Sequence, residues 1–134
     1  MLNSGSQSEK IAVFIREGKK LTSVYRGQVA ISADNQNKRQ EAIADLIGKS
    51  PIAAEQFGLV GHRIVHGGSR FQKSMPASRD VLAGLRQMNE LAPLHNPPAI
   101  DGVEASIKLF PQAKQILVFD TAFHSTMDQA HYLY

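Results

Sequence analysis

The sequence contains no cysteine, and no apolar run in it approaches the ~20 residues that a membrane-spanning helix needs. The missing cysteine excludes a disulfide framework and any metal site built on thiolates. The short polar beginning of the chain, Met1-Leu2-Asn3-Ser4-Gly5-Ser6, lacks the pattern of a secretory signal peptide. We therefore expect a cytoplasmic protein that does not enter a membrane.

A strong excess of charge of one sign is also lacking. Fifteen basic and twelve acidic side chains leave a net charge of +3, and the basic residues are scattered along the chain without interleaved aromatic residues. Nucleic-acid-binding proteins usually carry a basic stripe or patch, so we expect no nucleic-acid partner. The 134 residues, of which 43% are hydrophobic, suit one domain with its own core.

Five short apolar runs predict β-strands, at residues 11–15, 21–25, 28–32, 59–65 and 115–119. The second and third runs could be two strands or one strand that is broken at Arg26-Gly27. The connections between the first three runs are short, which favours antiparallel pairing. The last run is almost continuously apolar, as in strands that are buried on both faces of a sheet.

Apolar residues at helical spacing predict three helices between or after these strands. Asn37 is a candidate N-cap for the first helix, and Ser78 precedes the second. Pro97 and Pro98 break the chain before the third helix, and Pro111 stops it. A hairpin-rich start followed by alternating helices and strands is typical of an α/β fold.

Arg63 is the first candidate for chemistry. If residues 59–65 form a strand, Arg63 shares one face with Gly61 and Val65, while His62 and His66 lie on the other. A guanidinium offers a planar fork of donors that fits a carboxylate or a phosphate, and Val65 could wall in a short alkyl group. The alternatives are an edge-strand arginine with its head in solvent, or an arginine in a salt bridge inside the protein.

Asp120 and His95 are two further candidates. Asp120 follows the apolar run 115–119, and the carboxyl ends of strands are where α/β sheets collect ligands. Its carboxylate could orient a nucleophile, hold a metal or pair with Arg63, or it could only cap a turn. His95 lies among prolines that restrict its loop, so its imidazole could donate to a phosphoryl oxygen or be an ordinary loop histidine.

Two other patterns are weaker. The histidines at 62, 66 and 124 are of a type that binds zinc, but no HExxH or similar spacing accompanies them. The segment 3–10 could offer backbone N–H groups, hydroxyls and the Lys10 ammonium group to phosphates. That segment lacks the Walker spacing, and it could equally be a frayed polar terminus.

Four segments of the sequence, in their order along the chain, resemble the acetate kinase family. They are Asn3-Ser4-Gly5-Ser6-Gln7-Ser8-Glu9-Lys10, Gly61-His62-Arg63-Ile64-Val65-His66-Gly67-Gly68, Leu91-Ala92-Pro93-Leu94-His95-Asn96-Pro97-Pro98 and Val118-Phe119-Asp120-Thr121-Ala122-Phe123-His124. The resemblance covers nearly the whole chain from Asn3, but only the first part of the family's usual length. Gln7 and Glu9 depart from the family's first loop, which usually has a serine and an apolar residue there.

The resemblance implies a fold and a reaction. The expected fold is α/β, a mixed sheet flanked by helices in the N-terminal lobe of the actin-like fold shared with the sugar kinases. Residues 1–134 would form a partial N-terminal domain, with the C-terminal domain absent. The family, which is homodimeric, transfers the γ-phosphoryl group of ATP to acetate or another short-chain carboxylate, with Mg²⁺. The chain alone is expected to be nearly inactive. The alternative is a non-catalytic remnant that binds small anions or a partner, which the departures at Gln7 and Glu9 favour.

The resemblance also implies a role in this reaction for individual residues. Those expected at the acceptor and the transferring phosphoryl group are the catalytic Asp120 and His95 and the substrate-binding Arg63, Val65 and Leu94. Arg63 would pair with the substrate carboxylate or acyl phosphate, and Val65 and Leu94 would line a methyl pocket. Asn3 would help to hold the metal, and Lys10 would lie on the nucleotide side.

Overall fold

The computed structural model describes residues 1–31, 36–64, 73–87 and 96–119. The strands within these residues are β1 (Leu2–Ser4), β2 (Ser8–Glu17), β3 (Lys20–Ala30), β4 (Leu59–Ile64), β5 (Met75–Pro76) and β6 (Lys114–Phe119). The helices are α1 (Gln36–Gly48), α2 (Arg79–Gln87) and α3 (Asn96–Leu109), and a short 3-10 turn covers Ala54–Gln56. None of the helices in this part of the chain has the length and apolar character to cross a membrane.

The described strands form one mixed sheet, in the order β3-β2-β1-β4-β6-β5. β2 pairs antiparallel with both β1 and β3, and β5 pairs antiparallel with β6. β4 runs parallel to both of its neighbours, β1 and β6. Since β4 lies inside the sheet, Arg63 is not an edge-strand residue, and that alternative is excluded. The mixed sheet flanked by helices is as expected.

The three described helices cover one face of the sheet, which we call the helix face. In β4, Val60, His62 and Ile64 point to the helix face and are buried, whereas Gly61 and Arg63 point to the opposite face and are half-buried. This alternation is the one predicted for residues 59–65, of which the structure describes those up to Ile64. Successive side chains of a strand point to opposite faces, and register partners in neighbouring strands point to the same face. The faces of the other strand residues therefore follow from their pairing with β4.

Two apolar clusters attach the helices to the helix face. The first holds α2 and α3 against β4 and β6, with Ile100, Val103 and Phe119 fully buried. The second holds α1 against β1, β2 and β4, with Ile43 of α1 buried beside Ile11 of β2. Both clusters pack against the helix face. They hold β1, β4 and β6 in place, so the side chains on the opposite face of these strands have fixed positions.

Residues 21–25 and 28–30 belong to a single strand, β3, and the predicted break at Arg26-Gly27 does not occur. Ile31 follows the strand, and Ser32 lies outside the described residues. β3 pairs with β2 from Lys20 to Ala30, with one register shift opposite Val13 and Phe14, where Val24 is an extra residue in β3. Gly27 lies within the continuous strand, and the Tyr25 ring fills the space that a side chain at this position would occupy. The tight turn between β2 and β3 requires the left-handed conformation of Gly18, whose φ is 62°.

The helix predictions hold with two corrections at helix starts. α1 begins at Gln36, so Asn37 lies in its first turn, and the prediction of Asn37 as N-cap is wrong. Ser78 does cap α2, because its Oγ accepts a hydrogen bond from the N–H of Val81 at 3.2 Å. Pro97 and Pro98 lie inside the first turn of α3 and not before it. Proline fits there because the first N–H groups of a helix have no partner within the helix.

Candidate functional site

Three polar side chains from three adjacent strands share the opposite face, and we call Lys10, Asn3 and Arg63 the polar row. Lys10 of β2 is the register partner of Asn3 in β1. Leu2 and His62 are partners in the parallel pair of β1 and β4, so the next residue of each strand, Asn3 and Arg63, lies beside the other on the opposite face. Adjacent strands are about 5 Å apart, so the row spans about 10 Å of backbone from Lys10 to Arg63.

The polar row has the chemistry of an anion site. Lys10 is exposed, and Asn3 and Arg63 are half-buried, which leaves each with access to a ligand. A guanidinium can grip a carboxylate or phosphate with two parallel hydrogen bonds, and the lysine ammonium adds a point charge. The two long cationic side chains can converge on one small anion from strands that are two positions apart. The structure brings Arg63, Asn3 and Lys10 together on one face, and the separate roles expected for them at the substrate, the metal and the nucleotide stay predictions.

An apolar side chain continues the row on its other side. Val118 of β6 is the register partner of Arg63, and it is 8% exposed. It lies next to the guanidinium-bearing strand on the same face, where it could contact the alkyl part of a small acid. No role for Val118 follows from the sequence, because the run 115–119 is almost continuously apolar and only the pairing of β4 with β6 places Val118 on the face of Arg63.

The remaining predicted site residues lie outside the described part of the chain. They are Val65, Leu94, His95 and Asp120. Ile64 and Phe119, which immediately precede Val65 and Asp120 along the chain, are register partners in the parallel pair of β4 and β6. The roles of these four residues stay predictions.

The turn between β1 and β2, residues 5–7, is ordered by the strands on either side of it. The N–H of Gly5 donates to the carbonyl oxygen of Ser8 at 2.9 Å, and the carbonyl oxygen of Gln7 accepts from the N–H of Ile31 at 2.9 Å. The preceding strand, β1, is paired on both sides. The alternative of a frayed polar terminus is therefore wrong, and the turn can offer N–H groups from a fixed backbone.

Glu9, one of the two departures from the family pattern, lies on the helix face beneath this turn. One carboxylate oxygen accepts from Ser4 Oγ at 2.8 Å, and the other accepts from Arg39 Nη1 of α1 at 2.8 Å. Burial raises the pKa of Glu9, while the hydrogen bonds from Ser4 and Arg39 work in the opposite direction. Because Glu9 points away from the polar row, it puts no negative charge there. The substitution that favoured a non-catalytic remnant thus leaves the row intact.

His62, next to Arg63 along the chain, is a core residue. It is 2% exposed on the helix face, with Nε2 at 2.7 Å from Oε1 of Gln115, which also accepts from Ser106 Oγ at 2.9 Å. Burial lowers the pKa of His62 to about 4, so the imidazole is neutral near pH 7. Of the three histidines in the weak zinc interpretation, His66 and His124 lie outside the described residues, and His62 is bonded in the core. The described residues contain no cluster of three metal-binding side chains.

Asn3 is the residue expected to help hold a metal. Its amide oxygen is a ligand type that Mg²⁺ accepts, and it stands between the strands that carry Lys10 and Arg63. Mg²⁺ is commonly held by few protein oxygens and by several phosphate and water oxygens. Asn3 offers one amide oxygen, and its neighbours Lys10 and Arg63 are cations that cannot bind a metal ion. This arrangement suits a metal ion that binds together with nucleotide phosphates, and not one that is held by protein ligands alone.

Comparison with known proteins connects this geometry to a family. The model of the acetokinase family matches residues 1–134. The chain belongs to the acetokinase family. Among curated relatives, acetate kinase 1 of Vibrio parahaemolyticus serotype O3:K6 (strain RIMD 2210633) is 39% identical to the chain over 115 residues. This match covers 86% of the chain and 29% of the relative.

Two solved structures, of an acetate kinase and a propionate kinase, share the fold. The crystal structure of Porphyromonas gingivalis acetate kinase matches with a TM-score of 0.72 at 29% sequence identity, over 93% of the chain and 37% of that structure. A propionate kinase from Francisella tularensis subsp. tularensis SCHU S4 also gives 0.72, at 30% identity over the same shares. The predicted actin-like α/β fold is confirmed. This acetokinase chain spans 29% of the length of the curated relative and 37% of each solved chain.

Proposed function

We propose that this acetokinase chain supplies the acceptor-binding part of a phosphotransferase that converts ATP and a short-chain carboxylate into ADP and an acyl phosphate. The observation that carries the proposal is the polar row, in which Arg63, Asn3 and Lys10 share one face of the sheet in adjacent strands. Acetate is the acceptor named for most relatives and propionate for one structural neighbour, so the acceptor class is a carboxylate with a short alkyl group.

The reaction joins an acceptor carboxylate oxygen to the γ-phosphorus while the bond from that phosphorus to the β,γ-bridging oxygen breaks. ADP leaves with the electron pair of that bond. Negative charge is spread over the oxygens of the transferring group and builds on the leaving oxygen, so positioned cations lower the barrier. Arg63 binds the carboxylate of the acceptor and then the acyl phosphate, and Val118 lies beside the alkyl group of the acceptor. Lys10, at the other end of the row, faces the nucleotide phosphates.

Mg²⁺, when bound with ATP, neutralises phosphate charge in such a transfer. Asn3 would supply one protein oxygen to it. In the same proposal, Asp120 orients the reacting groups or handles a proton, His95 donates to the transferring phosphoryl group, and Val65 and Leu94 line the alkyl pocket. ATP as co-substrate and the cytoplasm as the compartment belong to this proposal as well.

The proposal predicts that Arg63 binds acetyl phosphate. In a ¹⁵N-labelled sample, titration with acetyl phosphate should shift the amides of β4 and of the turn at residues 5–7. Arg63→Lys keeps the charge but loses the planar fork, so its affinity should fall, and Arg63→Ala should bind about tenfold more weakly or worse, because it loses charge-assisted hydrogen bonds. Arg79→Ala, at an exposed arginine that opens α2 on the helix side, is the matched control and should bind like the wild type.

Thermal unfolding of the same variants separates binding from structure. A residue that binds a ligand in a wet cleft contributes little to the core, so the midpoint of Arg63→Ala should stay close to that of the wild type. A large fall in the midpoint would instead show that Arg63 forms a salt bridge inside the protein. Equal affinities of the wild type and Arg63→Ala would refute the binding role.

A further inference from the structure

A buried ion pair ties α1 to the turn that borders the polar row. Arg39 and Glu9 have no solvent-exposed side-chain surface, and Nη1 of Arg39 donates to Oε2 of Glu9 at 2.8 Å. Ser4 donates to the other oxygen of Glu9 at 2.8 Å, and Nη2 of Arg39 donates to the carbonyl oxygen of Gly5 at 2.9 Å. One guanidinium therefore connects a helix, a strand and a turn.

Stability alone does not account for such a pair. Taking two charges out of water costs several kcal/mol per ion, and replacing a buried pair by apolar side chains of similar volume is often neutral or stabilising. An apolar pair would fill the same space between α1 and β2. It could not hold the carbonyl oxygen of Gly5. The hydrogen bond from Arg39 to the turn is thus the property that only the ion pair provides.

Both polar groups of Gly5 are held, and this fixes the orientation of the next peptide unit. The N–H of Gly5 donates to the carbonyl oxygen of Ser8, and its carbonyl oxygen points inward to Arg39 on the helix side. In a trans peptide the carbonyl group and the following N–H point in opposite directions. The N–H of Ser6 therefore points away from Arg39, and Ser6 is exposed.

We propose that Arg39, held in place by Glu9, is a positioning residue that turns the N–H of Ser6 outward as a donor to a phosphoryl oxygen. This inference rests on the proposed function, since it requires that the polar row and the turn beside it bind phosphoryl groups. Arg39 lies on the helix face and does not touch the ligand. Its effect on binding passes through the Gly5–Ser6 peptide.

The test uses two variants that alter the Arg39 contact in different ways. Arg39→Lys keeps a cation for Glu9 but has no second arm for the carbonyl oxygen of Gly5. The double variant Arg39→Met with Glu9→Leu removes both charges together, so no charge is left buried alone. Arg63→Ala is the comparison, because it should lose binding without changing the turn.

Two quantities are measured by NMR. The ligands for the binding measurement are inorganic phosphate and acetyl phosphate. The first is the carbonyl ¹³C shift of Gly5 in the ligand-free protein, which reports the hydrogen bond from Arg39. The second is the dissociation constant from the shift of the Ser6 amide. Both Arg39 variants should change the Gly5 signal and bind about tenfold more weakly, which corresponds to the loss of one hydrogen bond to an anion. Arg63→Ala should weaken binding and leave the Gly5 signal unchanged.

Each outcome decides one part of the inference. If Arg39→Lys binds both probes as tightly as the wild type, or leaves the Gly5 signal unchanged, the positioning role is wrong, even if the double variant fails to fold. If the wild type binds neither probe, the proposed function fails, and the role of Arg39 in ligand binding fails with it. A changed Gly5 signal in the Arg39 variants would in that case assign Arg39 to the structure of the turn alone.

Discussion

Protonation of His62 should destabilise the fold in mild acid. The imidazole is 2% exposed in the central strand β4, and its Nε2 lies 2.7 Å from Oε1 of Gln115, which also accepts a hydrogen bond from Ser106 of α3. Burial disfavours the charged imidazolium and lowers the pKa of His62 to about 4, and the hydrogen bond to Gln115 offsets only part of this effect.

The size and direction of the effect follow from the two pKa values. The unfolded chain takes up a proton near the usual pKa of 6.5, whereas the folded protein takes it up only near 4. Between these pKa values the unfolded state binds more protons than the folded state. The stabilising contribution of neutral His62 to the free energy of unfolding is therefore complete above pH 6.5 and is lost as the pH falls toward 4. A gap of about 2.5 pKa units amounts to about 3 kcal/mol. A typical domain is stable by roughly 5–15 kcal/mol, so this loss is measurable.

Urea unfolding of the wild type and His62→Leu over the range from about pH 7.5 to about pH 4.5 measures the effect. His62→Leu removes the titrating group, while Gln115 keeps the hydrogen bond from Ser106. We expect the variant to start about 1 kcal/mol less stable from the lost hydrogen bond and then to lose about 2.5 kcal/mol less down to about pH 4.5, where most of the full difference is reached. The other ionisable groups are the same in both proteins, so the difference isolates His62. Parallel stability curves for the two proteins would refute the reasoning.

Two further predictions concern packing and surface charge. Gly102 of α3 lies directly against the Ser4 side chain, so Gly102→Ala should lower the free energy of unfolding in urea by about 1–3 kcal/mol despite the better helix propensity of alanine. Gly58→Ala, where a methyl group meets open space, should change it by less than about 0.5 kcal/mol, and equal effects would contradict the close contact. Arg86→Ala removes a 2.6 Å ion pair to α3, but the arginine side chain is 44% exposed, so stability should fall by less than about 1 kcal/mol. If Arg86→Ala lowered the free energy of unfolding by several kcal/mol, and salt did not change this loss, the prediction of a weak, solvent-screened ion pair would be wrong.

The sequence predicted those parts of the fold that depend on local pattern. The alternation along residues 59–65 assigned Arg63 and His62 to opposite faces of β4, and the structure confirms both assignments. Ser78 precedes the second helix as predicted, and its hydroxyl accepts a hydrogen bond from the N–H of Val81. Gly27 misled the prediction in one of its alternatives, because glycine is typical of both turns and close contacts, and only the position of the Tyr25 ring distinguishes them.

The ion pair of Glu9 and Arg39 was missed, although each residue carried a signal. Glu9 occupies the same face of β2 as the buried Ile11, and Arg39 lies four residues before the buried Ile43 on α1. A single charge in a buried apolar pattern is costly, and two such charges of opposite sign can compensate each other. The local sequence pattern does not show that two segments 30 residues apart pack together. For Val65, Leu94, His95 and Asp120, the site prediction still depends on the resemblance.

β1, one of the two central strands, has only three residues, and it stands between the hairpin of β2 and β3 and the parallel strands β4 and β6. β2 and β3 are joined by a tight turn at Gly18, so their pairing closes a short loop, whereas the parallel pairing of β4 and β6 must close a long one. We expect the hairpin to form early and the parallel half to form late, because long-range contacts slow folding. Lys10 belongs to the early half and Arg63 to the late half, and β1 joins the two. An anion that binds across the row would therefore bind only the fully joined sheet and, by mass action, would hold the two halves together.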